Sequence, residues 1–413
     1  MEFIADFHIH SKYSRATSRD MDVKHLADWA KLKGITLMGT GDFTHHLWLE
    51  ELRRNLTDLG NGLFKHKDVH FILTAEVSSI YSKKGRTYRI HNVIIAPSFK
   101  SVEKINDALG RRGNLASDGR PILGVDAEEV ARIVFDIDEN CMIVPAHIFT
   151  PWFALFGSMS GFDRIEDCFE KQTDKIFALE TGLSSDPAMN WRLSALDRFS
   201  LISNSDSHSP AKIGREANVF NCDLDYKTIR EVLKTKDKKR FLYTIEFFPE
   251  EGKYHYDGHR LCGIAMSPEE SMKHNNICPK CRRPLTIGVM NRVCRLADRP
   301  EGFVPENAIP YKSLVPLSEM IAEAKGIKSA SVASEKEYFN AVAKFGTEFN
   351  ILLKASRDEI AKGLSPRIAD GVMRMRQGKV KAVAGYDGEY GRISVFGKDD
   401  DAAPQAEQQL SLF

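Results

Sequence analysis

The chain has 413 residues, of which 42% are hydrophobic and 28% charged, and its formal net charge is +1. This length exceeds what one hydrophobic core usually supports, so we expect two or three domains. The sequence has no apolar run of the roughly 20 residues that cross a bilayer and no basic-then-apolar leader, so it predicts a cytoplasmic protein rather than a membrane or secreted one.

Residues 1–245 alternate short apolar strands with helices. This alternation predicts a largely parallel sheet, either open or closed into a barrel. In both forms, functional residues lie at the C-terminal ends of the strands. The predicted strands cover residues 5–11, 35–38, 69–76, 89–96, 142–146, 176–180 and 201–203. The predicted helices cover residues 23–33, 47–59, 127–135 and 187–197.

Residues that can bind metal ions follow most of these strands. His8 and His10 lie two apart on the first strand, so their side chains point to the same face and can bind one ion. Asp206 and His208 repeat that spacing after the last strand. His91 begins a strand that an antiparallel neighbour would bring to the same rim. The other strand-end residues of this kind are Asp42, His45, His46, Glu76, His147 and Glu180.

Histidine and carboxylate ligands without cysteine suit divalent ions such as zinc, manganese or magnesium. The number of such residues is enough for two or three ions. Clustered ions of this kind activate water and neutralise the charge that develops on a phosphoryl oxygen. The chemistry we favour is therefore hydrolysis of a phosphate ester.

This combination of motifs resembles the PHP (polymerase and histidinol phosphatase) family of metal-dependent phosphoesterases over roughly residues 1–245. The resemblance implies an α/β fold, a distorted seven-stranded barrel with a multinuclear metal site. It also implies two or three divalent ions, zinc, magnesium or manganese. The metal ligands it implies are His8, His10, Asp42, His45, Glu76, His91, His147, Asp206 and His208.

Two features depart from the family pattern. Arg15 stands near the position where the family often has an acidic residue, so we expect it to hold a substrate phosphate. The usual Asp-His adjacency is stretched after Asp42, which leaves His45 and His46 as alternative ligands, with His45 favoured. Arg15, Asp206 and His208 are the residues we expect to take a direct part in catalysis, because the Asp206 carboxylate can bridge ions.

Residues 246–300 contain four of the seven cysteines. A His-x-x-Cys pair followed by a Cys-x-x-Cys pair has the spacing of a tetrahedral structural zinc site. His255 and Cys294 are alternative ligands. The predicted ligands are His259, Cys262, Cys278 and Cys281. Basic residues around them predict a surface for a phosphate backbone, namely Arg260, Lys280, Arg282, Arg283, Arg292, Arg295 and Arg299.

Residues 301–397 have helix-compatible spacing and a basic last helix, so we expect a helical domain that binds DNA. Residues 398–413 are polar and are predicted to form a disordered tail. The end of the tail resembles the peptide that docks into a DNA sliding clamp. The residues expected to bind the clamp are Gln409, Leu410, Leu412 and Phe413.

Across almost its whole length, the chain resembles a family of PHP-type DNA-repair nucleases. The features that carry this resemblance are residues 5–17, the His-Cys-Cys-Cys module and the aromatic ending of residues 385–391. The resemblance implies a metal-dependent endonuclease that cuts the phosphodiester 5′ to a deaminated base (uracil, hypoxanthine or xanthine) or an abasic site. Its partner would be damaged double- or single-stranded DNA, so we expect a nucleoid-associated protein. The alternatives are a phosphatase for small phosphate esters and a non-catalytic adaptor that binds damaged DNA.

Overall fold

The computed structural model describes residues 1–397, and the predicted clamp-binding peptide lies outside the described residues. The described chain forms two compact units. The first comprises residues 1–314 and 384–391, and the second comprises residues 315–383 and 392–397. The predicted phosphoesterase region and cysteine module both fall in the first unit. Among residues 1–397, no helix has the length and apolar character required to span a membrane.

The first unit is built from short strands and short helices. Its strands are β1 (Glu2–Asp6), β2 (Leu37–Gly39), β3 (Thr57–Asp58), β4 (Phe64–His66), β5 (Val69–Lys83), β6 (Arg86–Ala96), β7 (Ile122–Leu123), β8 (Met142–Pro145), β9 (Ala178–Glu180), β10 (Ser200–Ile202), β11 (Ala217–Asn221), β12 (Phe241–Glu246), β13 (Asp257–His259), β14 (Ile264–Met266) and β15 (Tyr311–Ser313). Its α-helices are α1 (Val23–Lys33), α2 (His46–Asn55), α3 (Phe99–Gly110), α4 (Ala127–Ile137), α5 (Ile165–Phe169), α6 (Pro187–Asn190), α7 (Tyr226–Thr235), α8 (Pro268–Lys273) and α9 (Val289–Leu296).

Helix α1 shows how local sequence sets an element's ends. The side chain of Asp22 accepts a hydrogen bond from the backbone N–H of His25, which satisfies a donor that the first turn leaves free. The helix ends at Gly34, whose φ of 92° lies in the left-handed region that glycine adopts without a steric penalty. The predicted helix over residues 23–33 is therefore confirmed.

The main sheet is mixed rather than largely parallel. Strands β1, β2 and β5 run parallel to one another, but β11 runs antiparallel to β1 and β6 runs antiparallel to β5. The β5–β6 hairpin turns at Lys84 and Gly85, which both have positive φ. Strand β5 continues to Lys83, beyond its predicted end at Glu76. The sequence obscured this extension because Ser78, Ser79 and Ser82 interrupt the apolar run.

Strands β9 and β10 form a separate parallel pair whose ends meet the ends of other strands. The N–H of Ile148, just after β8, donates to the carbonyl of Glu180 at the end of β9 (3.0 Å). The N–H of His10, after β1, donates to the carbonyl of Ser207, after β10 (2.9 Å). These hydrogen bonds bring the C-terminal ends of β1, β8, β9 and β10 to one place.

The hydrophobic core lies beneath β1, β11 and β12. Phe3, Phe220 and Phe241 are buried and in ring contact, with centroids 5.5 Å apart for Phe3 and Phe220 and 4.8 Å apart for Phe220 and Phe241. Helix α7 contributes Ile229 and Val232 to the same cluster. Burial of each large apolar side chain contributes roughly 1.5–3 kcal/mol, which holds the strand ends above this core in place.

Glu246, the last residue of β12, is a fully buried carboxyl group. Burial raises its pKa to about 8, and the nearby Asp186 carboxylate adds to the increase. The side chain lies 3.1 Å from the Ser203 hydroxyl and 3.2 Å from the Thr181 hydroxyl. Both hydroxyls also lie within reach of backbone carbonyls that can accept their protons. A protonated Glu246 can therefore donate its proton to the hydroxyl oxygen of Ser203 or of Thr181.

Substituting Glu246→Gln should stabilise the protein at alkaline pH. The unfolded chain releases the Glu246 proton near the usual pKa of 4.5, whereas the folded chain keeps it up to about 8. The wild-type free energy of unfolding should therefore fall as pH rises through that window, and a neutral amide avoids this loss. Urea denaturation should show that the stability advantage of the variant over wild type grows by roughly 4 kcal/mol between about pH 5 and about pH 8.5.

The exposed residue Glu139 supplies the matched control. Glu139→Gln should change stability by the same small amount at both pH values. The residue Glu216, whose pKa is also raised by burial and by the charge of Glu246, is not substituted in either variant. An equal effect of Glu246→Gln at the two pH values would show that Glu246 is ionised in the folded protein.

The second unit contains four α-helices and one β-hairpin within residues 315–397. A buried carboxylate links two of its helices: Glu348 accepts hydrogen bonds from the Tyr338 hydroxyl (2.8 Å) and from the backbone N–H of Leu317 (3.0 Å). A π-helical turn spans Asn350–Lys354. The other elements are α10 (Leu317–Lys325), α11 (Val332–Phe345), α12 (Arg357–Gly363), α13 (Pro366–Arg376), β16 (Lys381–Val383) and β17 (Arg392–Ser394).

Candidate metal centre

Four predicted ligands converge beside the ends of β1 and β10 and the middle of β5. One ligand atom from each of His8, His10, Glu76 and Asp206 lies within 4.8 Å of the others. The His10 Nε2 atom is 3.2 Å from Glu76 Oε2 and 3.1 Å from Asp206 Oδ1. Within residues 1–397, however, Nε2 of His8, Nε2 of His10 and Oδ1 of Asp206 are buried without a properly angled hydrogen bond. Buried lone pairs that face one another in this way fit a shared cation.

A second group shares Glu76 with the first. Glu76 Oε1 lies 2.7 Å from His91 Nδ1 and 3.2 Å from His147 Nε2, while Oε2 faces His10. The antiparallel pairing of β5 with β6 brings His91 to this rim, as the sequence predicted. Burial lowers the pKa of His91 to about 4, so its imidazole is neutral at physiological pH and can offer a lone pair. Glu76 thus offers one oxygen to each of the two groups.

Two buried carboxylates orient the first pair of histidines. His8 Nδ1 donates to Glu180 (3.0 Å) and His10 Nδ1 donates to Asp42 (3.0 Å). Burial alone would lower the pKa of His8, but the charges of Glu180 and Glu76 raise it well above its usual value. A carboxylate behind an imidazole fixes the ring and its tautomer, so that Nε2 faces the centre.

Asp42 was predicted as a ligand, and the structure places it behind His10. Besides His10, its carboxylate accepts hydrogen bonds from the Ser11 backbone (2.6 Å), the Ser11 hydroxyl (2.7 Å) and the Ser14 hydroxyl (3.0 Å). Glu180 was predicted only to lie at a strand end and was given no role. Its position supports an orienting function for His8.

Three other predicted residues lie outside both groups. His45 stacks on Tyr13, with ring centroids 4.5 Å apart. His208 is closer, with its ring centroid 4.5 Å from that of His10 and its Nδ1 donating to the Asp206 carbonyl (2.9 Å). Arg15 is 82% exposed and its Nε lies 3.2 Å from Asp118. Direct roles for His45, His208 and Arg15 therefore stay predictions.

The backbone is unusual at the ends of the strands. Asp42, His147 and Asp206 have φ values of 48°, 32° and 45°. Only a few per cent of non-glycine residues adopt positive φ, and such conformations concentrate at functional sites, where the surrounding structure enforces them. All three are strand-end candidates and are among the metal ligands that the PHP-family resemblance implies.

The cysteine module brings its four predicted ligands together. Ligand atoms of His259, Cys262, Cys278 and Cys281 lie within 4.8 Å of one another. Short turns make this possible: His259 ends β13, Cys262 ends a 3-10 helix, and Cys278 and Cys281 flank a turn closed by hydrogen bonds from Arg282 to Cys278 and from Cys278 to Arg283. The alternatives lie elsewhere. Cys294 accepts a hydrogen bond from Arg192 (3.2 Å), and His255 is buried outside the group.

Known proteins resemble this chain over different lengths. The MJ0043 C-terminal domain family matches residues 316–379. The uncharacterized protein MJ0043 of Methanocaldococcus jannaschii is 35% identical over 293 residues, which cover 66% of this chain and 35% of that protein. The chain therefore spans about a third of this relative's length.

Two solved structures cover nearly the entire chain. The crystal structure of the lesion-specific endonuclease PfuEndoQ from Pyrococcus furiosus matches with a TM-score of 0.87 and 32% identity, over 100% of both chains. The chain belongs to the endonuclease Q family. A complex of endonuclease Q with a 27-mer duplex substrate, which has an abasic lesion at the active site, matches with a TM-score of 0.86 and 32% identity over 99% of this chain.

In this endonuclease Q family member, one arginine joins the cysteine module to the phosphoesterase region. Arg292 in α9 donates to the carbonyls of Phe156 and Phe162 (both 2.8 Å) and pairs with Asp163 (2.7 Å). Arg292 is buried, so the prediction that it contributes to an exposed basic surface is wrong. Arg260, Arg282 and Arg283 are exposed, as that prediction requires.

Sequence reasoning missed Arg120. Its Nη1 lies 3.1 Å from Glu76 Oε2, so this endonuclease Q family member has a cation beside the shared carboxylate. Arg120 lies in the segment between α3 and β7, outside every predicted strand end. Its sequence neighbours form no metal-binding or phosphate-binding motif, so only the folded chain reveals its position.

Proposed function

We propose that this protein is a DNA-repair endonuclease that uses divalent metal ions to hydrolyse the phosphodiester 5′ to a deaminated base or an abasic site. The observation that carries the proposal is the Glu76 carboxylate, which faces two histidine-containing groups at once. Membership of the endonuclease Q family and the likeness to a complex with an abasic lesion support DNA as the substrate. Uracil, hypoxanthine and xanthine are the deaminated bases in the proposal.

The side chains of this site are arranged for phosphoryl chemistry. Divalent ions bound here would activate water and neutralise charge on the phosphate. Glu180 and Asp42 accept the Nδ1 protons of His8 and His10, which directs Nε2 of both rings at the centre, where a bound cation would take the place of a proton on Nε2. The burial of His8, His10 and Glu76 lowers the local dielectric and strengthens every charge interaction with a bound phosphate.

The cysteine module would bind DNA, and the second unit would bind DNA as well. Exposed Arg260, Arg282 and Arg283 surround the four ligands of a structural zinc ion. The lesion would be extruded from the duplex, which costs least where pairing is already weakened. We also propose that the phosphoesterase region forms a seven-stranded PHP-type barrel. Residues 409–413 would dock into the DNA sliding clamp.

A nicking assay tests this function. Duplexes labelled at one end and containing uracil, hypoxanthine, an abasic site or no lesion are incubated with the protein and a divalent ion. We expect a nick on the 5′ side of the lesion, none in the undamaged duplex and none after chelation. Asp206→Asn should abolish the nick. Uncut lesion duplexes together with phosphate release from small esters would overturn the proposal in favour of a phosphatase.

A further inference from the structure

The segment between α3 and β7 packs against residues that surround the candidate metal centre. The N–H of Gly119 donates to the carbonyl of Tyr13 (3.1 Å), and the Thr44 hydroxyl donates to the carbonyl of Gly119 (3.2 Å). A Cβ atom at residue 119 would collide with the Asp42 carboxylate and the Ser14 hydroxyl. Only glycine therefore lets the backbone come this close to the site, and the next residue is Arg120.

Arg120 enters the site with part of its hydrogen-bonding capacity free. Its Nη1 lies 3.1 Å from Glu76 Oε2, the oxygen that also lies 3.2 Å from His10 Nε2. Within residues 1–397, Glu76 is the acceptor for this guanidinium, which leaves Nε and Nη2 without a protein partner. The side chain is 30% exposed, so one edge of the fork faces the carboxylate and the rest can reach a ligand from solvent.

Asp118 holds Arg120 and Arg15 in different positions. One oxygen of its carboxylate accepts from the backbone N–H of Arg120 (3.1 Å), while the other pairs with the Arg15 side chain (3.2 Å). Because Arg15 is 82% exposed, its guanidinium lies outside the buried centre. Arg120 thus occupies the inner position that the sequence had assigned to Arg15.

We propose that Arg120 binds a non-bridging oxygen of the scissile phosphate, beside the metal ligands. This inference rests on the proposed function. Ions at the two groups would claim the Glu76 carboxylate, and a phosphodiester would supply the negative charge that Arg120 then lacks. A planar guanidinium suits that role, because its parallel N–H donors match two phosphate oxygens. Arg120 would therefore contact the phosphate of the bond being cut, whereas Arg15 lies on the surface outside the metal centre.

A double-mutant cycle tests the contact. One change is Arg120→Met, which keeps an extended side chain and removes the charge. The other is a neutral methylphosphonate at the scissile linkage of an abasic duplex. Binding is measured with Ca²⁺ in the buffer, and strands are checked for integrity. We expect each single change to weaken binding roughly 10-fold and the double change to add little more, because both remove the same contact.

Arg120→Lys should restore part of the preference for the charged linkage, since it keeps one cation. Arg132→Met is the matched control, because Arg132 is exposed and pairs with Glu129 and Asp136 on α4. Independent, additive effects of Arg120→Met and methylphosphonate would overturn the inference. If Arg120→Met lost bound metal but showed no coupling with the methylphosphonate, Arg120 would only support Glu76, and the inference would be wrong. Failure of wild type to nick the abasic duplex would instead overturn the proposed function, which the cycle does not measure.

Discussion

Glu76→Gln should reduce lesion-dependent nicking by roughly 1,000-fold or more. Glu76 is the residue that both candidate ligand groups share, and its two oxygens face His10 on one side and His91 on the other. The amide keeps the shape of the side chain but replaces one oxygen by an NH₂ group that cannot bind a cation. Single-turnover nicking of an abasic duplex and metal analysis of the same sample measure both effects.

Glu50→Gln on the exposed side of α2 is the control, because Glu50 is exposed and pairs with Arg54 of the same helix. It should nick at the wild-type rate and keep the full metal content. Glu76→Gln should lose metal together with activity. Wild-type nicking by Glu76→Gln would mean that neither group participates in the chemistry.

Cys278→Ser should release the ion of the cysteine module and unfold that module, while the phosphoesterase region keeps its own ions. Structural zinc sites contribute roughly 10 kcal/mol or more to folding, and serine does not replace a thiolate ligand. DNA affinity should fall roughly 10-fold or more, because the exposed arginines of the module lose their fixed positions. Metal analysis and binding to an abasic duplex measure the two losses.

Cys294→Ser separates the two possible ligand sets. Cys294 accepts a hydrogen bond from Arg192 and lies outside the four-residue group. The variant should therefore keep its zinc and bind DNA like wild type. Loss of zinc from Cys294→Ser with retention in Cys278→Ser would show that the module uses the alternative ligand.

Much of the candidate site is readable from strand periodicity. The i, i+2 spacing predicts that His8 and His10 lie together. Their ring centroids are 5.4 Å apart, although both residues lie just beyond the end of β1 at Asp6. Strand ends meet at one rim, which brings His147 and Asp206 to them, whereas Glu76 comes from the middle of β5. The Cys-x-x-Cys spacing predicts the module equally directly, because each pair forms within one turn. These inferences succeed because they depend on short-range geometry.

Other features depend on contacts between distant residues. Asp42 and Glu180 look like ligands in the sequence, but their orientation toward Nδ1 of His10 and His8 follows from the packing of three separate strand ends. Arg120 reaches Glu76 only because Gly119 permits close backbone approach. The length of β5 was missed for a related reason: Ser78 and Ser79 are buried by tertiary packing rather than exposed by alternation.

The most direct test of the central claim is the metal content of the purified protein, measured by mass spectrometry alongside Glu76→Gln and Cys278→Ser. A centre bridged by Glu76 predicts two or more ions lost in Glu76→Gln, plus one ion lost only in Cys278→Ser. A wild-type protein whose bound metal disappears entirely in Cys278→Ser would contradict a multinuclear centre at the ends of the strands.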